Sequence, residues 1–239
     1  MIKFSKIKIV LIETSHPGNI GSAARAMKTM GFSKLYLVNP KCEINEISYA
    51  MASHAGDILD NAQVANNLSG VLRNCNYIIG ATARQRDIPI EILNPREIAK
   101  KINTDVYDEV AILLGNEARG LTNEQLSLCS IGLHIPSNKE YTSLNLASSL
   151  QIILYEMLFE SKNEASYINK IDREDIASND KLSGFLNHMN KVLKDIDFIK
   201  DDRPMIARKI DHIFKKSNLS EEEINILRGV LSAIENHSQ

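Results

Sequence analysis

Three separate stretches of this 239-residue chain concentrate small and polar side chains of the kind that let a ligand or a second backbone approach closely. The first, Glu13–Met30 (ETSHPGNIGSAARAMKTM), gathers Asn19, Gly21, Ser22, Ala23 and Ala24 at a helix start, and Arg25 then projects from its first turns. The second, Leu114–Leu121 (LGNEARGL), brackets a tight connection between Gly115 and Gly120. The third, Ile135–Ala147 (IPSNKEYTSLNLA), is a loop ending in a helix start that carries Ser143 and Asn145. Taken singly, each has an ordinary alternative: turn glycines, an N-capping Thr142 or Ser143, or an Arg25 paired at the surface. Neither GxGxxG nor GxxxxGK[ST] occurs, so a dinucleotide fold or a phosphate-binding P-loop is not supported. No Ser/His/Asp or Cys/His set is apparent, and the six histidines show no HExxH spacing. Cys42, Cys75 and Cys129 lie far apart without a CxxC pair, which suggests neither a zinc site nor a disulfide framework and suits a reducing cytosol.

The elements that position these stretches follow from periodicity. Ile7–Glu13, Lys34–Val38, Asn76–Ala81, Glu109–Gly115 and the shorter Gly132–Ile135 read as strands, the longer ones of near-continuous apolar character. Between them run helical patterns: one from Pro17–Asn19 to Gly31, with proline at its start and glycine past its end, one over Pro95–Ile102, and one opening at a Thr122/Gln125 capping box. Apolar strands interleaved with helices predict an α/β fold, a mostly parallel sheet covered on both faces. The ligand stretches then fall at strand ends, where open α/β sheets bind ligands. The helix after Thr142 carries Leu146, Leu150, Ile153, Leu154, Met157 and Leu158 on one stripe, which fits core packing and a buried dimer interface about equally.

A polar segment, residues 161–180, reads as a linker between a domain over 1–160 and an all-helical extension over 181–239. In the extension, helices are expected at Leu182–Ile199, at Pro204–Lys216 and after a Ser220 cap. The net charge of −2 excludes an indiscriminate polyanion binder, so any nucleic-acid surface must be local. One such surface is basic: Arg203, Arg208, Lys209, Lys215 and Lys216 stand against Asp211 alone, either as a solvated face or as a phosphate contact. No secretory signal or membrane-length apolar run is present, and a soluble cytoplasmic protein is expected.

In their order and at these strand ends, ETSHPGNIGSAARAMKTMGF, ILLGNEARGL and IPSNKEYTSLNLASSLQI resemble the three motifs of the SPOUT (SpoU-type) RNA 2′-O-methyltransferases. Within them the similarity is greatest to the TrmJ-like tRNA (cytidine/uridine-2′-O-)-methyltransferases, whose C-terminal extension FIKDDRP and INILRGVLSAIE also resemble. The resemblance implies a trefoil-knotted sheet, S-adenosylmethionine as methyl donor, no metal, tRNA as substrate at an anticodon-loop ribose, and a homodimeric active site. It places the donor against Ala81, Thr82, Ala83, Gly115, Ile135, Thr142, Ser143 and Leu144. Small residues at strand ends expose backbone amides and carbonyls there, with Ile135 and Leu144 as apolar walls.

The reaction so implied moves a methyl group from a sulfonium to a ribose 2′-oxygen. Asn19 and Arg25 are the candidate catalytic residues, with Tyr141, Ser143 and Asn145 shaping the site. Arginine is a poor general base because its pKa exceeds about 12, so Arg25 is expected chiefly to clamp the neighbouring phosphate and stabilise the developing alkoxide. Glu117, inside a glycine-bounded turn, is expected to be structural, and His16 a loop residue. Arg25, Arg84, Arg86, Arg208, Lys215 and Lys216 are the candidate RNA contacts. Two other readings are action on ribosomal RNA and a non-catalytic RNA-binding relative. Against the latter stand the intact Asn19, Arg25, Gly115, Glu117, Ser143 and Asn145.

Overall fold

A computed structural model describes residues 3–83, 89–104, 107–138, 140–162, 176–200 and 204–237. Among the described residues, seven strands form one sheet: β1 (Ile7–Ile12), β2 (Lys34–Val38), β3 (Gln63–Ala65), β4 (Tyr77–Ala81), β5 (Ile92–Leu93), β6 (Val110–Leu114) and β7 (Ile131–Leu133). Their order across the sheet is β3-β2-β1-β6-β4-β7-β5, and every pairing between them is parallel.

The central strands are apolar throughout because both of their faces are buried. On β1, Ile7, Ile9 and Leu11 enter one core while Val10 and Ile12 enter another. On β6, Val110, Ile112 and Leu114 alternate in the same way with Ala111 and Leu113. The first core is closed by α1 (Pro17–Met30), α5 (Pro95–Thr104) and α7 (Leu146–Lys162). The second is closed by α4 (Leu68–Leu72) and α6 (Asn123–Ser127). Two further short helices, α2 (Glu46–Ala52) and α3 (Gly56–Asp60), flank α1. The expected Thr122/Gln125 capping box opens α6, with each side chain bonded to the other residue's backbone amide.

Of the stripe expected on α7, Leu146, Leu150, Ile153, Leu154 and Met157 are buried in the chain's own core, while Leu158 is half-buried. The opposite side of the helix exposes Ile152, Tyr155 and Phe159, at 37%, 51% and 47% of their surface. The next two helices are α8 (Asn179–Asp195) and α9 (Pro204–Lys216), followed by α10 (Glu221–His237). They gather a core of their own around Phe185, Leu186, Met189, Val192, Ile224 and Leu231. α8 starts earlier than periodicity suggests because Ser178 Oγ caps the amide of Lys181, and it ends earlier because Asp197 turns left-handed at φ 58°. The expected linker is shorter at both ends: Ser161 and Lys162 continue α7, and Ser178 already caps α8, while residues 163–175 lie outside the described residues. Among the described residues no helix is long and apolar enough to cross a membrane.

The helical extension docks on the sheet domain by a backbone bond and a side-chain bond at the strand β4 entry. Asn179 N donates to Cys75 O at 2.8 Å, and Asn76 Nδ2 donates to Ile176 O. Toward the other side of β4, His212 Nε2 on α9 accepts from Glu91 N at 3.2 Å.

Candidate active site

Each motif is shaped by a local constraint. After β1 the chain turns left-handed at Glu13 (φ 53°), and His16 Nδ1 accepts from Gly18 N at 3.1 Å, so His16 is the N-cap of α1. Pro17 then occupies the first helical position, where its missing amide proton costs nothing. Gly21 is required by packing: a Cβ there would lie 2.0 Å from the Ser48 carbonyl oxygen of α2. After β6 the chain doubles back so tightly that a Cβ on Gly115 would lie 2.2 Å from the carbonyl carbon of Gly120. Gly120 takes φ 69° and donates its amide to Asn116 O at 2.7 Å. In the third segment Asn145 Oδ1 caps α7, accepting from Ala147 N at 2.8 Å.

These three turns meet through one hydrogen-bonded chain. Glu117 accepts from Ser15 Oγ at 2.9 Å, Ser15 N at 3.1 Å and Asn19 Nδ2 at 2.9 Å. Asn19 Oδ1 in turn accepts from Asn145 Nδ2 at 3.0 Å. The amide orientations are mutually consistent. A carboxylate only accepts, so Asn19 must present its nitrogen to Glu117 and its oxygen to Asn145, and Asn145 must present its own oxygen to the α7 amides. Burial pushes the Glu117 carboxyl up, but the hydrogen bonds from Asn19, its own amide and Ser15 outweigh it and hold the group below the usual carboxylate range. Glu117 thus joins the first motif to the second, and it also lines the cavity that opens beside them. Nearby, burial raises the Cys42 thiol and the Glu117 charge adds to the effect, which keeps that sulfur protonated.

A cavity of about 180 Å³ opens beside this network, beyond the C-terminal ends of β4, β6 and β7. Ala81, Thr82, Ala83, Gly115, Ile135, Thr142, Ser143 and Leu144 all line it. The lining also includes Asn116, Glu117, Arg119, Leu133 and Ser149, which sequence reasoning did not assign to the cavity. Ser149 had a usable signal, since it stands one helical turn after Asn145, and Ser149 N donates to Asn145 O at 2.8 Å. Arg119 sits in the second motif and bonds Glu13 Oε2 at 3.2 Å. Among the described residues no group of three or more His, Cys, Asp or Glu gathers to hold a metal ion.

The remaining nominated residues scatter in an informative way. Asn19 and Asn145 belong to the network beside the cavity, whereas Arg25 is exposed on α1 and does not line it. Tyr141 is 77% exposed on the loop that precedes Thr142 and lies outside the lining. Arg208 and Lys216 are exposed on α9. Lys215 is half-buried: its ammonium donates to the Ser127 carbonyl at the end of α6, and burial lowers its affinity for the proton. The open basic surface of α9 is thus carried by Arg208, Lys209 and Lys216. Arg84, Arg86 and Arg203 lie outside the described residues.

Residues 6–155, most of the chain, match the SpoU rRNA Methylase family, and residues 180–239 match the tRNA methyltransferase TrmJ C-terminal domain. The chain belongs to the SpoU methylase family. Its curated relatives include a tRNA (cytidine/uridine-2′-O-)-methyltransferase TrmJ of Sodalis glossinidius, 41% identical over 98% of this chain and 92% of that protein. Among solved structures, TrmJ of Z. mobilis superposes with a TM-score of 0.81 at 29% identity, over 95% of this chain and 98% of that one. A probable methylase family protein of Haemophilus influenzae superposes at 0.64 with 39% identity, over 98% of each chain. The SpoU methylase match covers the sheet domain and all three motifs, and the TrmJ-type match covers the helical extension.

Proposed function

We propose that this SpoU-family protein transfers a methyl group from S-adenosylmethionine to a ribose 2′-hydroxyl of tRNA, at an anticodon-loop cytidine or uridine. The observation that carries the reading is the convergence of three motifs, far apart in sequence, on one cavity with Glu117, Asn19 and Asn145 bonded beside it. The helical extension, shared over full length with relatives named for tRNA, favours tRNA over ribosomal RNA.

The cavity fits such a donor. Gly115 lets the chain double back so closely that Gly115 and Gly120 both line the cavity, Ala81 and Ala83 add small side chains at the β4 end, and Leu133, Ile135 and Leu144 give apolar walls. When bound, the donor supplies an electrophilic methyl on a sulfonium, and the leaving group needs no metal. The protein's contribution is alignment, to about 3 Å between reacting atoms, and help in removing the hydroxyl proton. Thr142 and Ser143 line the cavity from the third loop. Asn19 is fixed by two partners and cannot reorient freely. Arg25 clamps the phosphate beside the target ribose and stabilises negative charge on the 2′-oxygen.

Because Arg25 lies away from the cavity lining of its own chain, the site is read as completed in a homodimer, seated on the exposed Ile152, Tyr155 and Phe159 of α7. The knotted path and a cytoplasmic location belong to the same reading. The test is transfer of labelled methyl from S-adenosylmethionine to bulk tRNA by the purified protein, with light scattering to weigh the particle. Labelling of tRNA by a dimer is expected. Labelling of ribosomal RNA alone would overturn the substrate, and absence of donor binding would overturn the whole reading.

A further inference from the structure

We propose that Lys215 and His212, on α9 of the helical extension, are positioning residues for the donor cavity rather than contacts to RNA. The proposal rests on the donor-cavity reading above and concerns how that cavity is held in shape.

α9 grips the cavity's supports at two points. Lys215 donates its ammonium to Ser127 O, the last carbonyl of α6, which has no partner within that helix and carries the negative end of its dipole. α6 has only five residues, too few to stand by local bonding alone. Its start, Thr122, directly follows Leu121 of the cavity lining. Its far end presses on β4: a Cβ on Gly80 would meet Cys129 Sγ at 2.7 Å and Leu126 Cδ2 at 2.9 Å, one residue before the lining residue Ala81. A shift of α6 therefore reaches the cavity through both the second motif and the β4 end.

The second grip is on the other shoulder. His212 Nε2 accepts from Glu91 N at 3.2 Å, and Glu91 O accepts from Gly132 N at 2.8 Å. Gly132 lies in β7, and the residues that follow it, Leu133 and Ile135, are cavity walls. His134 Nδ1 and Thr82 O, 3.1 Å apart, close the connection from β7 to the β4 end. Burial of an ammonium is costly unless it is bonded, and Lys215 is half-buried with its ammonium bonded to Ser127 O. A lysine meant only for phosphate would remain in solvent, as Lys216 does.

The experiment is calorimetry of S-adenosylhomocysteine binding without RNA, together with tRNA binding, for the full-length protein and Lys215→Met, Lys215→Arg and His212→Ala. Lys215→Met keeps the stem and removes the donor. Its donor affinity is expected to fall about 5–10-fold, with tRNA affinity unchanged, KM for the donor raised and kcat at saturating donor retained. Lys215→Arg restores the bond to Ser127 O and most of the affinity, which a loss of bulk packing would not explain. Undiminished donor affinity in Lys215→Met with weakened tRNA binding would overturn the proposal and return Lys215 to the RNA surface. If Lys215→Met does not fold, His212→Ala reads the same loss from the opposite shoulder, and an unchanged affinity there is equally fatal. A wild-type protein that binds no donor removes the cavity reading itself, an outcome distinct from either variant result.

Discussion

The two ends of the parallel sheet are built from the same apolar strands yet finish in opposite ways. At the carboxyl ends, strands run out into glycine, alanine, serine and threonine, and the chain leaves a cavity bounded by backbone. At the amino ends, polar groups are closed against one another: Lys34 Nζ lies 2.8 Å from Glu109 Oε1, Lys8 Nζ lies 3.6 Å from Glu109 Oε2, and Lys8 also donates to Val71 O at 3.3 Å. Asn76 Oδ1 accepts from the amides of Asp108 and Glu109, and its nitrogen reaches the helical extension. The amino end closes its polar groups in ion pairs, whereas the carboxyl end joins Glu117, Asn19 and Asn145 beside an open cavity. The strands set the distance between these ends, while the loop residues decide which one does chemistry. Substitutions at the amino end should therefore change stability and leave the donor alone, whereas substitutions at the carboxyl end should reach the donor or the chemistry, with or without a cost in stability.

The sharpest break in that contrast comes from Arg25. It is exposed on α1. Arg25→Ala is expected to lower kcat about 10²–10³-fold while donor binding and the melting temperature stay near wild type. Single-turnover methyl transfer beside donor calorimetry checks this, and near-full activity would remove Arg25 from both proposed roles. Next in size is Gly115→Ala. Its Cβ would lie 2.2 Å from the backbone of Gly120, which cannot move aside as a side chain could. Opening the second motif should cost about 2–3 kcal/mol and abolish measurable donor binding, seen by thermal melting and calorimetry on one sample.

The control at the amino end is Glu109→Ala. It strands Lys8, 8% exposed and held between Val71 O and the Tyr36 ring, without its countercharge. Breaking a buried pair from one side is expensive, and because Glu109 is partly solvated the expected loss is about 2 kcal/mol. Donor affinity per folded molecule should not change. A variant that loses donor affinity in proportion to stability would show that the two ends are not separable.

How much of this was legible in sequence differs by the range of the interactions involved. The strands of β1, β4 and β6 were readable because burial on both faces writes itself as an unbroken apolar run. The motif turns were readable because Gly115, Asn19 and Ser143 are residue types that their positions demand. The short α2, α3 and α4 and the edge strands β3 and β5 were not singled out, since elements of two to seven residues are held by caps and packing rather than by their own periodicity. Nor was the bonding of Glu117 to Asn19 and of Asn19 to Asn145, which join residues 98 and 126 positions apart. Lys215 illustrates the same limit. A charge on a helix reads as solvent-facing, and only the neighbour, Ser127 of another part of the chain, reveals otherwise.

The smallest expected effect tests whether the network belongs to the chemical end at all. Glu117 has a folded-state pKa below its unfolded one because Asn19 and Ser15 bond its charged form more strongly than burial opposes it. A depressed carboxyl contributes stability above the unfolded value of about 4.3 and loses it as pH falls through the lower folded value. Glu117→Gln carries no charge at any pH and turns one acceptor into a donor facing Ser15 or Asn19, so it should be less stable than wild type at pH 7. Solvent screening keeps that cost under about 1 kcal/mol. The gap in melting temperature should narrow as pH falls below the unfolded carboxylate value of about 4.3 and the wild-type carboxyl takes its proton. A gap that stays constant across that range would mean the charge on Glu117 does nothing for the fold. The three motifs would then be held together by the cavity walls alone, and the distinction between the two ends of the sheet would rest on the glycines rather than on Glu117.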